Sequence, residues 1–396
     1  MFLTDAGYWL FVLVMLICYY VLPVVLRPWV LVGAGIIFYI VYTPQYALLT
    51  IVHILIIYGL VRLAWQRQDK KTFFTAALLL AALALLYFKY SGMIVDSVNS
   101  ILSLFSRASL PRIETVIIPL GLSYLTFEMI HYIVEMRRGN LPEHRMKHFL
   151  SFVLFFPTLV AGPIKQFQHF YPQLANRFES RNLAAGAYRI LIGLFKKLVI
   201  ADTLMLFVEP LHDGASIAQS PISVLWLGLV AYSFVIYLDF SGYSDIAIGT
   251  AKLFGITIPE NFRWPYLSKN IAEFWNRWHI SLGKWLTAYV YFPLGGSRGS
   301  QLRTCFNLIV TLGVSGLWHG AGWHFVVWGL CHGVMLAVHR LYAKLLKPKL
   351  KIPKRMAPFT NGAAMLLTFS LVVITRVFFI LPLVDGMQLL QKLFLF

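Results

Sequence analysis

Charge is scarce in this 396-residue chain: Asp, Glu, Lys and Arg make up 13% of it, about half the soluble norm of roughly 25%. Acids are scarcest, with 16 against 34 basic residues, a net +18. Cysteine is nearly absent. Cys18, Cys305 and Cys331 lie in apolar stretches with no CxxC pair, which excludes a disulfide framework or a cysteine-based zinc site and leaves thiols packed as small apolar side chains. Several catalytic signatures are also missing. Without GxSxG, a Walker A loop or GxGxxG, serine-hydrolase, ATPase and dinucleotide chemistries lose their usual supports. Without HExxH or converging histidine spacings, neither a metal nor a haem site is expected. No internal repeat is evident, which weighs against an inverted-repeat transporter.

What the chain has is apolar surface. Hydrophobic residues reach 59% and mean hydropathy is +0.72. A water-soluble fold cannot hide that much, so the solvent must be a bilayer. The basic excess then belongs to cytoplasmic loops and anionic lipid head groups, not to nucleic acid. The start, MFLTDAGYWLF, lacks a basic n-region and a small-residue cleavage site, and is expected to be a retained first span.

Hydropathy predicts about ten helical spans, near Tyr8–Leu26, Pro28–Tyr42, Tyr46–Leu63, Thr72–Tyr90, Val116–Met136, Ala184–Ile200, Ser223–Leu238, Thr304–Trp318, Trp323–Tyr342 and Gly362–Leu381. The basic runs Arg62–Lys71, Arg137–His148 and Arg340–Arg355 place those linkers in the cytoplasm and both termini outside. Two stretches fit no plain span. His148–Pro163 carries Pro157, Gly162 and Pro163 and predicts a re-entrant or broken helix, tolerated only where buried in protein or lining a cavity. Asn261–Gly296 is rich in aromatics and basic residues. Trp278, Leu282, Trp285, Tyr289 and Phe292 recur at 4-3-4-3 spacing, predicting one aromatic helical face in the interface or plugging a central cavity.

Polar residues at membrane depth need a reason. Ser123, Glu128, His131 and Glu135 lie in one predicted span, the last three on one face, as helix glue or as a proton or substrate path. Asp239 to Asp245 (DFSGYSD) ends an apolar run with two acids about a glycine and predicts a broken helix, structural or substrate-lining. His279 sits between tryptophans and Arg277 on the cytoplasmic side, where an interfacial histidine is structural more often than not. His319 lies in LWHGAGWH, at a turn between two apolar helices, deeper toward the outside. A buried histidine there stays neutral and can act as a general base, though the spacing alone favours a satisfied core residue. His324 and His332 are expected to pack or to support that site.

These residues resemble a known family. Pro119–Phe127 (PLGLSYLTF), Phe155–Ile164 (FFPTLVAGPI), Leu238–Ile248 (LDFSGYSDIAI), Phe274–Leu282 (FWNRWHISL) and Leu317–Trp323 (LWHGAGW) are similar to the membrane-bound O-acyltransferase (MBOAT) superfamily, in its bacterial DltB/AlgI-like branch. The resemblance spans nearly the whole chain. It implies a single all-α MBOAT transmembrane domain over residues 1–396, a multi-pass bundle around a central cavity in a bacterial cell membrane. It also implies catalysis by His319, with His279 lining the donor tunnel and Trp275, Asn276, Trp278, Trp318, Asp239 and Ser241 contacting substrate. No bound cofactor is implied. The substrate would be a donor thioester, either a 4'-phosphopantetheine carrier protein or acetyl-CoA. Partners would be an acyl carrier protein inside, an acyl-relay or acceptor protein outside, an envelope polymer and membrane lipids. Ile133–Gly139 (IVEMRRG) and FFPTL look like the D-alanyl-transferring DltB type, which is favoured here. Ser244-Asp245, Pro293–Gly296 (PLGG) and Ile164–Phe170 (IKQFQHF) look like AlgI-type O-acetylases. The rival from another class is a proton-coupled secondary transporter using the Glu128/His131/Glu135 face.

Overall fold

A computed structural model describes residues 5–66, 70–106, 108–111, 117–346 and 356–395. Most of the basic run Arg340–Arg355, part of Arg62–Lys71 and the start of the predicted span at Val116 lie outside the described residues. The described chain is helical, joined by turns and irregular segments, with no strand.

Among the described residues, six helical stretches are long and apolar enough to cross a membrane: Val24–Tyr42, Pro44–Gln66, Lys70–Leu104, Ile222–Leu253, Trp323–Leu346 and Ala357–Ile380. The other four predicted spans are helical but fall short, each for a local reason. Pro23 follows the end of Ala6–Val21 and leaves it 16 residues. Gly121, at φ 70°, delays the start of Leu122–Arg138. Ser180–Leu194 and the π turn Phe195–Ala201 that continues it carry Arg181, Arg189, Lys196 and Lys197, too much charge for an apolar span. Gln301–His319 buries Thr304, Asn307, Thr311 and Ser315, and those polar groups lower its hydropathy.

The chain divides into two compact units. The first comprises Met1–Gly193 and Tyr243–Pro259. Its centre is the segment predicted to be a broken helix. Met146–Val153 ends in a single 3₁₀ turn, Phe156–Thr158, followed by irregular backbone up to Phe167–Phe170. Phe149, Phe152, Phe155 and Phe156 are buried throughout this stretch, so its non-helical backbone lies inside protein, as that reading requires. Glu128 holds it in place. Both carboxylate oxygens accept from Lys165 Nζ at 2.7 Å, and the same ammonium donates to Thr158 Oγ1 at 3.0 Å. His131 Nε2 accepts from the Phe167 amide at 3.0 Å, and Glu135 accepts from Arg138 and Asn140. The polar face predicted as glue or proton path therefore bonds the helix to its neighbours.

The second unit comprises Leu194–Gly242 and Glu260–Phe396. One apolar cluster gathers Leu211, Leu225, Leu229, Val377 and Leu389. Another, of Ile271, Phe274, Trp278 and Val372, carries the candidate site. Two expectations are corrected. The helix predicted to break around Gly242 runs unbroken from Ile222 to Leu253, contributing to both units. Its acids are neutralised by cations instead: Asp239 pairs with Lys197, and Asp245 accepts from Arg189 at 2.6 Å. The single aromatic face across Trp278–Phe292 does not form either. His279 takes a left-handed backbone conformation between helices Ile271–Arg277 and Ile280–Leu286, so the 4-3-4-3 spacing crosses a kink. Trp278, Leu282 and Trp285 turn into protein, whereas Phe292 stays exposed.

Removing one partner of a buried ion pair strands the other. Lys165→Met is expected to destabilise the protein by about 3–5 kcal/mol. The double replacement Glu128→Leu/Lys165→Met should recover most of that, with thermal unfolding in detergent micelles as the measurement. A single variant as stable as wild type would show that the pair anchors nothing.

Candidate active site

His319 is the last residue of helix Gln301–His319, and Gly322 caps the start of Trp323–Leu341. Glycine makes this tight hairpin possible. A Cβ on Gly316 would lie 2.1 Å from the Phe325 carbonyl oxygen, and one on Gly329 would lie 2.2 Å from that of Leu312, so the two backbones touch where any side chain would part them. Gly320 leaves room for the Phe325 ring, which packs on Phe379, which in turn packs on His319. Trp328 and Phe379 each stand 5.2 Å from the His319 ring centroid, and Trp318 stands at 5.0 Å.

His279 reaches the same place from a kinked loop. Its φ of 44° is uncommon for any residue with a Cβ and carries a strain of roughly 1–3 kcal/mol. Asn261 holds it there. Its side-chain oxygen faces His279 Nδ1 at 3.1 Å, the Ser281 hydroxyl at 2.8 Å and the Ser281 amide at 3.2 Å, while its carbonyl accepts from the Ile280 amide at 2.9 Å. An amide oxygen only accepts, so Nδ1 must carry the imidazole proton and Nε2 a lone pair. No described residue hydrogen-bonds that Nε2. Burial pushes the His279 pKa down to about 3, so the ring is neutral at physiological pH.

The two histidines, expected at different membrane depths, instead lie together with ring centroids 6.3 Å apart. Their surroundings are aromatic. Phe240 stands 4.7 Å from His279, and Trp318 touches both imidazoles. Of the predicted substrate contacts, Trp278 and Trp318 are buried, and Trp275 is half-buried against Trp328 and His332. Ser241 is buried, and no described residue bonds its hydroxyl. Asn276 is exposed. Asp239 keeps its charge on Lys197. His332 faces Thr375 Oγ1 at 3.1 Å and packs on Trp328, and His324 Nδ1 faces the Phe378 carbonyl, both in the supporting roles expected of them.

Residues 35–381 match the model of the MBOAT, membrane-bound O-acyltransferase family. The chain belongs to that family. As a member of the membrane-bound O-acyltransferases with several apolar helices, it is a multi-pass membrane protein. It is 37% identical to a "Probable alginate O-acetylase AlgI" of Azotobacter vinelandii over 89% of its own length and 71% of that protein's. It is 35% identical to a "Peptidoglycan O-acetyltransferase" of Helicobacter pylori, over 88% and 70%. To a "Teichoic acid D-alanyltransferase" of Streptococcus thermophilus it is 33% identical, over 66% and 68%. Several further relatives are longer, and the chain spans little more than half of their length.

Asn261, Trp328, Phe379 and Arg376 complete this surround and escaped the sequence reading. Only Arg376 left a signal, as the single charge in 356–384 of a strongly apolar stretch.

His279→Asn is expected to fold, because asparagine tolerates left-handed backbone, and to lose acyl transfer. The wild-type ring takes up no proton in the folded state until pH nears 3, whereas in the unfolded chain it protonates below its ordinary value of 6.5. Below pH 6.5 the unfolded state therefore binds more protons, and stability falls as pH falls toward 3. Thermal melts between pH 7.5 and 5 should show a weaker acid dependence in His279→Asn than in wild type. Equal slopes would place this imidazole in contact with water.

Proposed function

We propose that this chain moves an acetyl group from a cytoplasmic thioester to hydroxyls of an extracytoplasmic envelope polysaccharide, with His319 as general base. The observation that carries the reading is the pair of imidazoles 6.3 Å apart in one aromatic enclosure, one of them neutral with an open lone pair. The acceptor oxygen bonds to the thioester carbonyl carbon as its proton passes to His319; the C–S bond then breaks and the proton goes to the leaving thiolate. General-base help of this kind supplies roughly 10²–10⁴-fold. His279, locked as its Nδ1–H form, accepts a hydrogen bond that orients donor or acceptor without taking the proton. Trp278 and Trp318 wall the donor, and Ser241 offers a hydroxyl. Asp239 is assigned to holding Lys197.

Acetyl is preferred to the D-alanyl group that the sequence favoured. The acetylating relatives are more similar and cover more of this chain than the D-alanylating one. The thioester is presented by acetyl-CoA or a carrier protein, and a relay or acceptor protein outside completes the transfer. The transporter reading loses its support, because Glu128, His131 and Glu135 are engaged in bonds that hold the fold.

His319→Ala should abolish transfer, at least about 10²-fold, while leaving expression and membrane insertion intact. The measurement is mass spectrometry of base-labile acyl groups released from the envelopes of wild-type and variant cells. Acetate that vanishes in the variant supports the proposal. D-alanine that vanishes instead changes the acyl group. No difference between strains ends the acyltransferase reading.

A further inference from the structure

Arg376 stands where helix Ala357–Thr375 meets the short helix Val377–Ile380, and it is 1% exposed. Its backbone is satisfied, since its amide donates to the Val372 and Val373 carbonyls. Its side chain is not. None of Nε, Nη1 and Nη2 has a well-aligned acceptor among the described residues. The Tyr266 hydroxyl lies in the guanidinium's field, but it donates its proton to the Ser233 carbonyl at 2.5 Å and leaves the cation only a lone pair. Ion pairs among the described residues of this unit join other partners, such as Lys197 to Asp239 and Arg277 to Glu273. What surrounds the guanidinium is aromatic: Trp278 at 4.5 Å from the ring centroid, Phe379 at 5.6 Å and Trp328 at 5.9 Å.

Aromatic faces offset part of the penalty of burying a cation, but desolvation of an unpaired ion exceeds what such contacts return. A planar fork of donors held dry, with the Tyr266 hydroxyl beside it and no carboxylate among the described residues paired to it, is suited to receive an anion. Its location indicates which one. Trp328 and Phe379 are the rings that also flank His319, and Trp278 directly precedes His279. The guanidinium thus shares its walls with both imidazoles.

We propose that Arg376 is the oxyanion receptor of the acyl transfer, an assignment that rests on the acyltransferase reading above. As the acceptor oxygen bonds to the carbonyl carbon and its proton moves to His319, the carbonyl π pair moves onto oxygen, which becomes anionic beside the guanidinium. When that pair returns, the C–S bond breaks and the thiolate takes the proton from His319, leaving ester and thiol. No other reactant is required. The carbonyl is neutral in the bound donor and charged in the transition state, so the contact strengthens during reaction and raises turnover more than binding.

The test uses the full-length protein in host membranes given a concentration series of radiolabelled acetyl-CoA, scoring base-labile acetate on envelope polymer, with melting temperatures in detergent alongside. Arg376→Met, of similar length and apolar, should melt at or above the wild-type temperature. Its kcat should fall about 10²–10³-fold, the usual loss for an oxyanion donor, with KM little changed. Arg376→Lys, which keeps charge without the fork, should regain part of that rate. A lower melting temperature in Arg376→Met would make the arginine structural and overturn the proposal. So would unchanged turnover, or a raised KM at unchanged kcat, the mark of an anion bound in the ground state. Wild-type membranes that form no ester from acetyl-CoA would remove the acetyl-CoA-fed transfer on which this assignment rests and the assignment with it, an outcome distinct from a loss confined to the variants.

Discussion

The site depends on one acceptor atom, the side-chain oxygen of Asn261. It gathers the Ser281 amide, the Ser281 hydroxyl and His279 Nδ1, all in a segment whose backbone is otherwise strained. Without it, His279 Nδ1 and the Ser281 donors lose this acceptor, each lost bond of a buried group costing about 1–3 kcal/mol, and the left-handed residue keeps only backbone bonds around it. The kink in turn separates Trp278 from Leu282 in direction, so that the tryptophan faces the Phe274 cluster and the histidine faces Phe240 and His319. Position and tautomer of His279 follow from this amide, and its neutrality from burial.

The buried acids of the first unit are paired, whereas several polar groups around the histidines of the second are not. In the first, Glu128 meets Lys165 and Asp245 meets Arg189, and the irregular Phe155–Ile164 segment is sealed by aromatic rings. In the second, around the histidines, His279 Nε2, the Ser241 hydroxyl, the Trp275 and Trp328 indole nitrogens and the Arg376 guanidinium have no partner among the described residues. Native proteins leave few such groups. Satisfied polar groups hold a fold in one arrangement; a concentration of unsatisfied ones around two imidazoles marks where a substrate's own oxygens and hydroxyls complete the pattern.

Much of this was legible in the sequence, and the failures have physical causes. Hydropathy and proline placement located the helices and the buried break after Val153, because both depend on local backbone chemistry. The turn at His319 was legible because the glycines of Trp-His-Gly-Ala-Gly stand between two apolar runs. The kink at His279 was not. The 4-3-4-3 pattern continues through it, and only a distant asparagine, 18 residues earlier, sets the conformation. The DFSGYSD stretch misled in the other direction. Two acids about a glycine resemble a broken helix when their cations are unseen, yet Lys197 and Arg189 come from other segments and let the helix continue. Arg376 was readable as an isolated charge in an apolar run, but two of the three rings around it, Trp278 and Trp328, come from distant places in the chain.

An amide, not a carboxylate, orients His279, and this choice divides the labour between the histidines. A carboxylate on Nδ1 would stabilise imidazolium and raise the ring's proton affinity, making it a base. An amide oxygen fixes the same tautomer without adding charge, and full burial then holds the ring neutral. Such a ring accepts a hydrogen bond but does not keep a proton. Proton traffic in the proposed transfer therefore falls to His319. The arrangement also spares the enclosure a negative charge that would compete with an oxyanion for the Arg376 guanidinium. A neutral orienting amide and a buried cation are thus two sides of one electrostatic design: the group that orients His279 adds no negative charge to oppose the anion formed in the reaction.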